Sequence, residues 1–479
     1  MDVLYRSAFQ LAAEIKAQTI KSRDLLEFYL DRVEKYNPAL NSVVQLDLNR
    51  ARKRADEADI AANKGEDWGP LHGLPLTIKD AYATEGIVST NGIPDYKDFV
   101  PDFNADGVKR YVNAGAIVFG KTNVPYMSSD LQSYNDIYGT TNNPWDLSRT
   151  CGGSSGGAAA SLAAGLTPLE FGSDIGGSIR TPANFNGVFG HKPTHGIVSQ
   201  RGHLPMHESL AEGDLWVAGP LGISATDVAQ AFDLLLGPPS DRAVGWRVDL
   251  PAARTTDIRE LRVATYFTDP NCEVDSEIQD ILASSAKSLE AEGANISWDV
   301  KPEIDFAENH LIYMQLLNSF LSIGMPEEQK EQMHKAVSSV DAPDELVNSP
   351  FMSHEQWTML NERRLQLNSI WTDFFVDYDV LLAPVTPVPA FEHDHSDDMG
   401  QRVLTFNGQS RPYLDLLFWS GFSLSTFLPA SVAPAGRTKG NLPVGVQIVG
   451  PYLEDRTPLA VAAMLERCHQ SFEPPPGFE

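Results

Sequence analysis

The chain has 479 residues, of which 42% are hydrophobic and 21% charged, and this balance is ordinary for a globular protein. It excludes a disordered, collagen-like or disulfide-stapled chain. Asp and Glu number 64 against 37 Lys and Arg, giving a net charge of −27. Such a charge repels phosphate backbones and anionic lipid, so we expect neither a nucleic acid nor a membrane as partner.

Cysteine usage indicates a reducing compartment. Cys151, Cys272 and Cys468 are an odd, sparse set without a CxxC pair, so no disulfide framework is predicted. The first residues lack the basic and then apolar order of a signal peptide. No apolar run reaches the ~18 residues of a transmembrane helix. We therefore expect a cytoplasmic protein.

The first 65 residues are predicted to be helical. Apolar residues between Leu11 and Val33 recur at helical spacing. Pro38 is expected to stop this run, because proline breaks the helical hydrogen-bond ladder. A second helix is predicted over residues 44–63. At the other end of the chain, residues 474–476 are three prolines in a tail that we expect to be frayed.

From about residue 70, short apolar runs alternate with helical segments, which predicts an α/β fold around a largely buried sheet. We expect one domain over 1–479. Its predicted parts are N-terminal helices at 1–65, a catalytic core at 70–235 holding a Gly-rich segment at 151–196, a variable insertion with helices at 257–365, and a return to the core at 366–465. Predicted strands lie near 73–80, 114–120, 167–171, 261–266, 381–384 and 444–450, and predicted helices lie near 105–113, 158–166 and 275–293.

Two Gly-Ser clusters stand out in the segment 151–196. Ser154 lies in Cys-Gly-Gly-Ser-Ser-Gly-Gly, and Ser178 lies 24 residues later in Asp-Ile-Gly-Gly-Ser-Ile-Arg. Glycine loses more conformational entropy on folding than any other residue, so a cluster of glycines needs a reason. One reason is that backbone N–H groups must approach a substrate closely. A turn of this kind can hold an oxyanion. Ser178 beside those donors suits acyl transfer.

A serine nucleophile needs a base, and the residues alone leave two kinds of candidate. One is a histidine, either His191 or His195 close to the second cluster, or His72. The other is Lys79, at the end of a buried apolar run. A free lysine has a pKa of about 10.4, and burial can lower it to about 7–8. Spacing permits both.

The segment from Gly152 to Gly196 resembles the amidase signature, the hallmark of a family of serine hydrolases. The two Gly-Ser clusters and their spacing match it. Further matches are Leu-Pro-Leu-Thr-Ile-Lys-Asp around Lys79, Lys-Thr-Asn at 121–123, Asn-Pro-Trp at 143–145 and Leu-Pro-Val-Gly-Val-Gln at 442–447. The likeness runs from the first helices to about residue 465. It implies a central mixed, twisted β-sheet flanked on both sides by α-helices.

The resemblance also implies a Ser–Ser–Lys triad. By motif position, Ser178 is the nucleophile, Ser154 the bridging serine on a cis peptide, and Lys79 the base. The N–H groups of Ile175, Gly176, Gly177 and Ser178 would hold the oxyanion. No metal and no cofactor are required.

Neighbouring residues have simpler interpretations. Asp174 and Arg180 are predicted to form a structural ion pair, and Ser155 to fix the backbone. His191 and His195 are four residues apart, like some zinc ligands, but lie in a turn without cysteine or carboxylate partners, so we expect structural histidines. Cys151 is expected to be a small buried residue. The sequence contains no GxxxxGK[ST] motif, so a phosphate-binding loop of that kind is not predicted.

Family members cleave amides, some esters and some carbamates. We expect a stand-alone hydrolase, monomeric or homodimeric, for a neutral, fairly hydrophobic or aryl amide or carbamate. The alternative is the glutamine-hydrolysing subunit of a tRNA-dependent amidotransferase; a non-catalytic module is disfavoured because all three triad positions are filled. Arg201 is a candidate for binding a substrate carboxylate. Tyr126, Met127 and Ser128 are the predicted substrate-binding residues, and Ser199–Leu210, 314–360, 385–402 and Phe418-Trp419 are candidates to complete the pocket.

Overall fold

A computed structural model gives the fold and describes residues 3–338, 342–396 and 398–479. Small parts of two candidate pocket segments, 339–341 and 397, lie outside the described residues. The described α-helices, α1–α14 in chain order, are Ala8–Lys16, Ser22–Leu40, Leu48–Asn63, Asp106–Asn113, Gly156–Ala163, Arg180–Asn186, Ala225–Leu235, Ser276–Ala291, Phe306–Leu321, Glu327–Ser338, Asp344–Val347, His354–Asp377, Phe418–Ser425 and Arg456–Cys468. The strands, β1–β17, are Val43–Leu46, Pro75–Lys79, Ile117–Thr122, Tyr134–Asn135, Gly139–Thr140, Asn142–Asn143, Asp146–Thr150, Leu169–Asp174, Phe189–Lys192, Val217–Gly222, Arg262–Thr265, Asn295–Ser297, Val380–Pro384, Val403–Phe406, Gln409–Pro412, Ala430–Arg437 and Pro443–Val449.

An eight-stranded mixed sheet forms the centre of the fold, with strand order β12-β11-β13-β17-β16-β9-β10-β8. Strand β11 pairs in parallel with β12 and β13, and the remaining pairs are antiparallel. A second sheet has the order β1-β3-β2, and its strand β2 packs against the edge strand β8 of the large sheet. This contact brings together the ends of β2 and β8, where Lys79 and Ser173 lie.

Helices cover the large sheet in two groups. The small side chains of α5 and α6 pack with Val188, Leu221 and Val432 in an apolar cluster of their own. Helix α14 contacts both α7 and α8, and the three helices pack on β9, β10, β16 and β17 through the main apolar cluster. The predicted α/β class, with a central mixed sheet between helices, is confirmed.

Two predictions for the amino-terminal region were wrong. Helix α2 continues past Pro38 to Leu40, since a proline in the last turn removes only one helical hydrogen bond, and the helix ends at Asn41 in a left-handed conformation. Residues 43–46 are not helical but form β1, which pairs with β3. The helix begins only after Asp47, whose side chain accepts a hydrogen bond from Arg50 N.

The carboxyl-terminal tail is packed rather than frayed. The carbonyl oxygen of Phe478 accepts hydrogen bonds from Tyr5 Oη at 2.9 Å and from Arg32 Nη2 at 2.6 Å. The Phe478 ring lies 5.1 Å from that of Tyr36. These contacts hold the tail against α2. No helix among the described residues combines the length and apolar character that crossing a membrane requires.

Candidate active site

The three residues of the predicted triad lie in one buried region. Lys79 ends β2, Ser154 lies in the turn before α5, and Ser178 lies in the turn between β8 and α6. Their exposed fractions are 0%, 1% and 4%. Lys79 Nζ lies 2.6 Å from Ser154 Oγ. The two Gly-rich turns are joined by a hydrogen bond of 3.1 Å from Ser155 N to Ser178 O, and Ser155 Oγ donates to Ser173 O at 3.3 Å.

Lys79 is suited to act as a base near neutral pH. Burial lowers the pKa of its amine from 10.5 to about 7, against the opposing effect of the Asp174 and Glu170 carboxylates. Roughly half of the amine is then neutral at pH 7, compared with under about a thousandth of a free lysine. Its Nζ also lies 2.9 Å from Ser173 Oγ, a contact that no sequence motif indicated.

The turn that carries Ser154 packs tightly against residues 130–133. The peptide bond between Gly153 and Ser154 is cis, as the resemblance implies. A Cβ atom on Gly153 would lie 2.6 Å from Asp130 O and from Gln132 N, so only glycine fits there. Ser133 Oγ donates to Gly152 O at 3.0 Å and accepts from Gly156 N at 3.1 Å. These contacts fix the position of Ser154 Oγ.

The turn before Ser178 leaves some of its N–H groups unengaged. Gly177 N donates to Asp174 Oδ1 at 2.9 Å, so this N–H is already occupied. Within the described part of the chain, the N–H groups of Ile175 and Gly176 and the hydroxyl of Ser178 have no hydrogen-bond partner. Of the four predicted oxyanion donors, the N–H groups of Ile175, Gly176 and Ser178 have no partner among the described residues and are therefore available to a ligand.

A buried ion pair holds this turn, as predicted. Arg180 Nη2 donates to Asp174 Oδ1 at 2.8 Å, and neither side chain is exposed. Burial by itself would raise the pKa of Asp174, but the charge and hydrogen bonds of Arg180 outweigh it and lower the pKa to about 2. Arg180 Nη1 also donates to Ser423 Oγ at 2.8 Å and to Gln447 Oε1 at 2.5 Å. The pair thus ties the turn to α13 and β17.

The three histidines considered as bases bond groups outside the triad. His191 lies in strand β9 and not in a turn, and it has a carboxylate partner, so this part of the prediction was wrong: its buried ring bonds Ser431 and Asp455, which join β9 to β16 and to the residue before α14. His195 bonds the carbonyl oxygen of Gly213, and His72 bonds that of Ala58. The contacts of both His191 and His195 are with groups that hold the fold together, as expected of structural histidines.

A further prediction concerns Cys151. Cys151 is fully buried, as expected. The described residues contain no group of three or more His, Cys, Asp or Glu arranged to hold a metal ion. His203, which lies within the candidate pocket segment Ser199–Leu210 but was not named individually, approaches the site: its Nε2 lies 3.2 Å from Ser173 Oγ.

The predicted substrate-binding residues form an exposed turn near the base. Tyr126 and Met127 are 53% and 41% exposed, and Met127 and Ser128 have φ angles of +53° and +56°, which non-glycine residues rarely adopt. Ser128 Oγ donates to Asn91 Oδ1 at 2.7 Å, and Asn91 N donates to Asp80 O at 3.1 Å. The turn is thereby tied to the residue that follows Lys79.

Other candidate pocket residues have structural partners. Arg201 Nη1 pairs with Asp241 Oδ1 at 2.6 Å, so its guanidinium already has a carboxylate partner. Trp419 is fully buried in the core and donates to Cys272 O at 3.2 Å. Two other side chains do approach the Gly176 backbone: a Cβ placed there would lie 2.8 Å from Leu417 Cδ2 and 3.1 Å from Tyr313 Oη.

Comparison with known proteins identifies the family. A family model described as Amidase matches residues 24–459. The chain is 33% identical to indoleacetamide hydrolase of Bradyrhizobium diazoefficiens, covering 96% of this chain and 86% of that one. It is 30% identical to a glutamyl-tRNA(Gln) amidotransferase subunit of Halorhodospira halophila, covering 99% of both. A bacterial aryl acylamidase of the amidase signature family has a crystal structure that matches with a TM-score of 0.81 and 26% identity, covering 98% of this chain and 97% of that one.

The chain therefore belongs to the amidase signature family. In the coarser terms that these similarities support, it is an amidohydrolase, an enzyme that hydrolyses an amide C–N bond. Relatives with different named activities are similar to it at nearly the same identity.

Proposed function

We propose that the protein is a stand-alone serine hydrolase that cleaves the C–N bond of neutral, fairly hydrophobic or aryl amides or carbamates through an acyl-enzyme on Ser178. The observation that carries this proposal is the contact of 2.6 Å between Lys79 Nζ and Ser154 Oγ in a buried site. An amine with a pKa of about 7 is half neutral there and can accept a proton.

The proposed reaction starts with two coupled proton transfers. Neutral Lys79 takes the hydroxyl proton of Ser154, which takes the hydroxyl proton of Ser178. Ser178 Oγ then bonds to the substrate carbonyl carbon, and the carbonyl π electrons move to its oxygen. The N–H groups of Ile175 and Gly176 stabilise this oxyanion, because they are unengaged in the described structure. Gly177 has a supporting role, since its N–H donates to Asp174.

Collapse of the oxyanion breaks the C–N bond, and the leaving nitrogen receives the proton from Lys79 through Ser154. Water then attacks the acyl carbon. Its proton passes through Ser154 to Lys79 as the new C–O bond forms, and the bond from Ser178 Oγ to the carbon breaks. Ser178 is reprotonated along the same route, which restores neutral Lys79. These steps need no metal or cofactor.

A neutral and apolar substrate is supported by the surroundings of the site. Leu417 and Tyr313 approach the Gly176 backbone, and Tyr126 and Met127 present exposed apolar surface near the base. The carboxylate of Asp174 is neutralised by Arg180. Arg201, the predicted partner for a substrate carboxylate, is paired with Asp241. Indoleacetamide hydrolase and aryl acylamidase, two of the similar proteins, have names that specify aryl-containing substrates.

The test is hydrolysis by the purified chain alone, with a matched panel of an acyl anilide, indole-3-acetamide, the corresponding phenyl carbamate, an aryl ester and L-glutamine. We expect turnover of the aryl amides or the carbamate, no turnover of glutamine, and loss of turnover in Ser178→Ala. Glutamine hydrolysis that appears only after partner proteins are added would favour the alternative, membership of an amidotransferase complex. Full turnover by Ser178→Ala would refute the mechanism.

A further inference from the structure

Lys79 has a second hydroxyl partner that the proposed reaction does not use. Its Nζ lies 2.9 Å from Ser173 Oγ, at the end of β8. Ser173 Oγ in turn lies 3.2 Å from Nε2 of His203, in the segment after β9. The other ring nitrogen of His203, Nδ1, lies 2.8 Å from the carbonyl oxygen of Leu204. A continuous chain of hydrogen bonds therefore runs from the carbonyl oxygen of Leu204 through His203 and Ser173 to Lys79.

The directions of these hydrogen bonds follow from the chemistry of the groups. A carbonyl oxygen can only accept, so His203 Nδ1 carries a proton and donates it to Leu204 O. Burial lowers the pKa of His203 to about 3, so the ring is neutral and its Nε2 has a free lone pair. Nε2 therefore accepts the single hydroxyl proton of Ser173. Toward Lys79, the oxygen of Ser173 is left only with lone pairs.

We propose that His203 is a positioning residue that acts through Ser173 to aim the lone pair of Lys79 at Ser154. Because Ser173 Oγ can only accept, a Lys79 N–H must point at it. The lone pair of the neutral amine is then free for the Ser154 hydroxyl. Without His203, the Ser173 hydroxyl can turn and donate to the lone pair, competing with Ser154. The inference rests on the proposed role of Lys79 as base.

The surrounding structure fixes the His203 ring in this orientation. The ring packs edge-on against Tyr82 at 5.1 Å between centroids and lies tilted against Trp216 at 4.7 Å. Leu204 N donates to Ala81 O at 2.8 Å, which anchors the segment beside the strand that supplies Lys79. Leu204 O also accepts from Asn91 Nδ2 at 2.8 Å.

Asn91 also accepts from the hydroxyl of Ser128. The His203 segment is therefore linked to the predicted substrate-binding turn. The positions of the His203 segment, beside Lys79, and of the turn at 126–128 therefore both depend on the Asn91 side chain.

Kinetics of four variants test the proposal. His203→Phe keeps an aromatic ring between Tyr82 and Trp216 but has no acceptor, whereas His203→Gln retains an acceptor within reach of Ser173. We expect His203→Phe to lower kcat at least tenfold with little change in KM, and His203→Gln to recover most of that loss. Adding Ser173→Ala to His203→Phe should cause no further loss beyond Ser173→Ala alone, because the competing hydroxyl is gone.

The pH profile separates positioning from a merely structural effect. In His203→Phe, the Ser173 hydroxyl stabilises the neutral amine, so the apparent pKa of the acidic limb should fall together with the plateau of kcat. The charged or titratable groups facing this region are Asp174 and Glu170 on β8, Lys121 on β3, Tyr82 after β2, whose hydroxyl also hydrogen-bonds Ser173, and His203 itself. All of these groups except His203 are unchanged in His203→Phe and in the double variant that adds Ser173→Ala. These two variants differ from each other only at Ser173, so comparing their pH profiles isolates the effect of the Ser173 hydroxyl.

Several results would overturn the proposal. These are wild-type kcat in His203→Phe, equal losses in His203→Phe and His203→Gln, or fully additive losses in the double variant. If His203→Phe does not fold, Ser173→Ala and Ser173→Thr give the same test: Thr keeps the hydroxyl and should retain activity, and equal activity of the two refutes the role of the hydroxyl. Failure of the proposed function is distinct, since it would appear as full activity in Lys79→Ala or Ser178→Ala.

Discussion

Replacing Lys79 by methionine should remove activity and stabilise the fold at the same time. The amine is fully buried, and its pKa falls from 10.5 to about 7. At pH values below 7 this difference destabilises the folded state by about 5 kcal/mol. Methionine has similar length and no charge. It loses the hydrogen bonds with Ser154 and Ser173, which contribute about 1 kcal/mol each. The free energy of unfolding is therefore expected to rise by about 3 kcal/mol.

The gain should depend on pH with a defined sign. Between pH 7 and 10.5 the unfolded chain binds the Lys79 proton and the folded chain does not, so the stability of the wild type rises with pH in this window. At pH 9.5 the destabilisation by Lys79 has fallen to about 1.4 kcal/mol. This is less than the contribution of the two lost hydrogen bonds, so the advantage of methionine should disappear there.

Urea unfolding of wild type and Lys79→Met at pH 6.5 and pH 9.5 measures this difference, and amide hydrolysis is assayed on the same preparations. Lys53→Met is the matched control, because the Lys53 side chain is 79% exposed. We expect hydrolysis to fall by about 10²–10⁴-fold in Lys79→Met and to be unchanged in Lys53→Met. If Lys79→Met gains no stability at pH 6.5, or gains the same amount at both pH values, burial does not lower the pKa of Lys79 as described.

Three further predictions concern the same site. The value of kcat/KM should rise with pH through an apparent pKa near 7, because only neutral Lys79 is a base, and a profile that is flat from pH 5.5 to 8.5 would contradict this. Arg180→Leu leaves the carboxylate of Asp174 buried without its partner and should lower the free energy of unfolding by about 3–5 kcal/mol, seen as a lower urea midpoint; an unchanged midpoint would exclude the ion pair as a structural element. Gly177→Ala places a Cβ 2.8 Å from Thr181 Oγ1 at a φ of +96°, so thermal unfolding should show a loss of about 1–3 kcal/mol and kcat should fall; a neutral substitution would contradict the turn geometry.

Much of the site was predictable because its motifs are local and long. The glycines around Ser154 and Ser178 lie within a few residues of the side chains that they position. Lys79 could be placed at the end of a strand because the preceding residues form a short buried run. That Lys79 and Ser154 come within 2.6 Å, although 75 residues apart, followed from the resemblance and not from the residues alone.

The remaining features depend on contacts that leave no local pattern. His203 and Ser173 are 30 residues apart and meet only because the segment after β9 returns beside β2. The engagement of the Gly177 N–H by Asp174 depends on the conformation of the turn. Residues 44–46 were predicted as the start of the helix over 44–63. Pairing with β3 decides their conformation, and the pair of valines there together with Asp47 is the signal that was available.

The proposed mechanism depends on Ser178 being a nucleophile that Lys79 activates through Ser154. The intact mass of the protein after treatment with a serine-directed fluorophosphonate, followed by peptide mapping, examines that role without knowledge of the substrate. We predict a single adduct on Ser178 that forms much more slowly in Lys79→Ala. An adduct on another serine, or labelling of Ser178 at the wild-type rate in Lys79→Ala, would show that the mechanism is wrong.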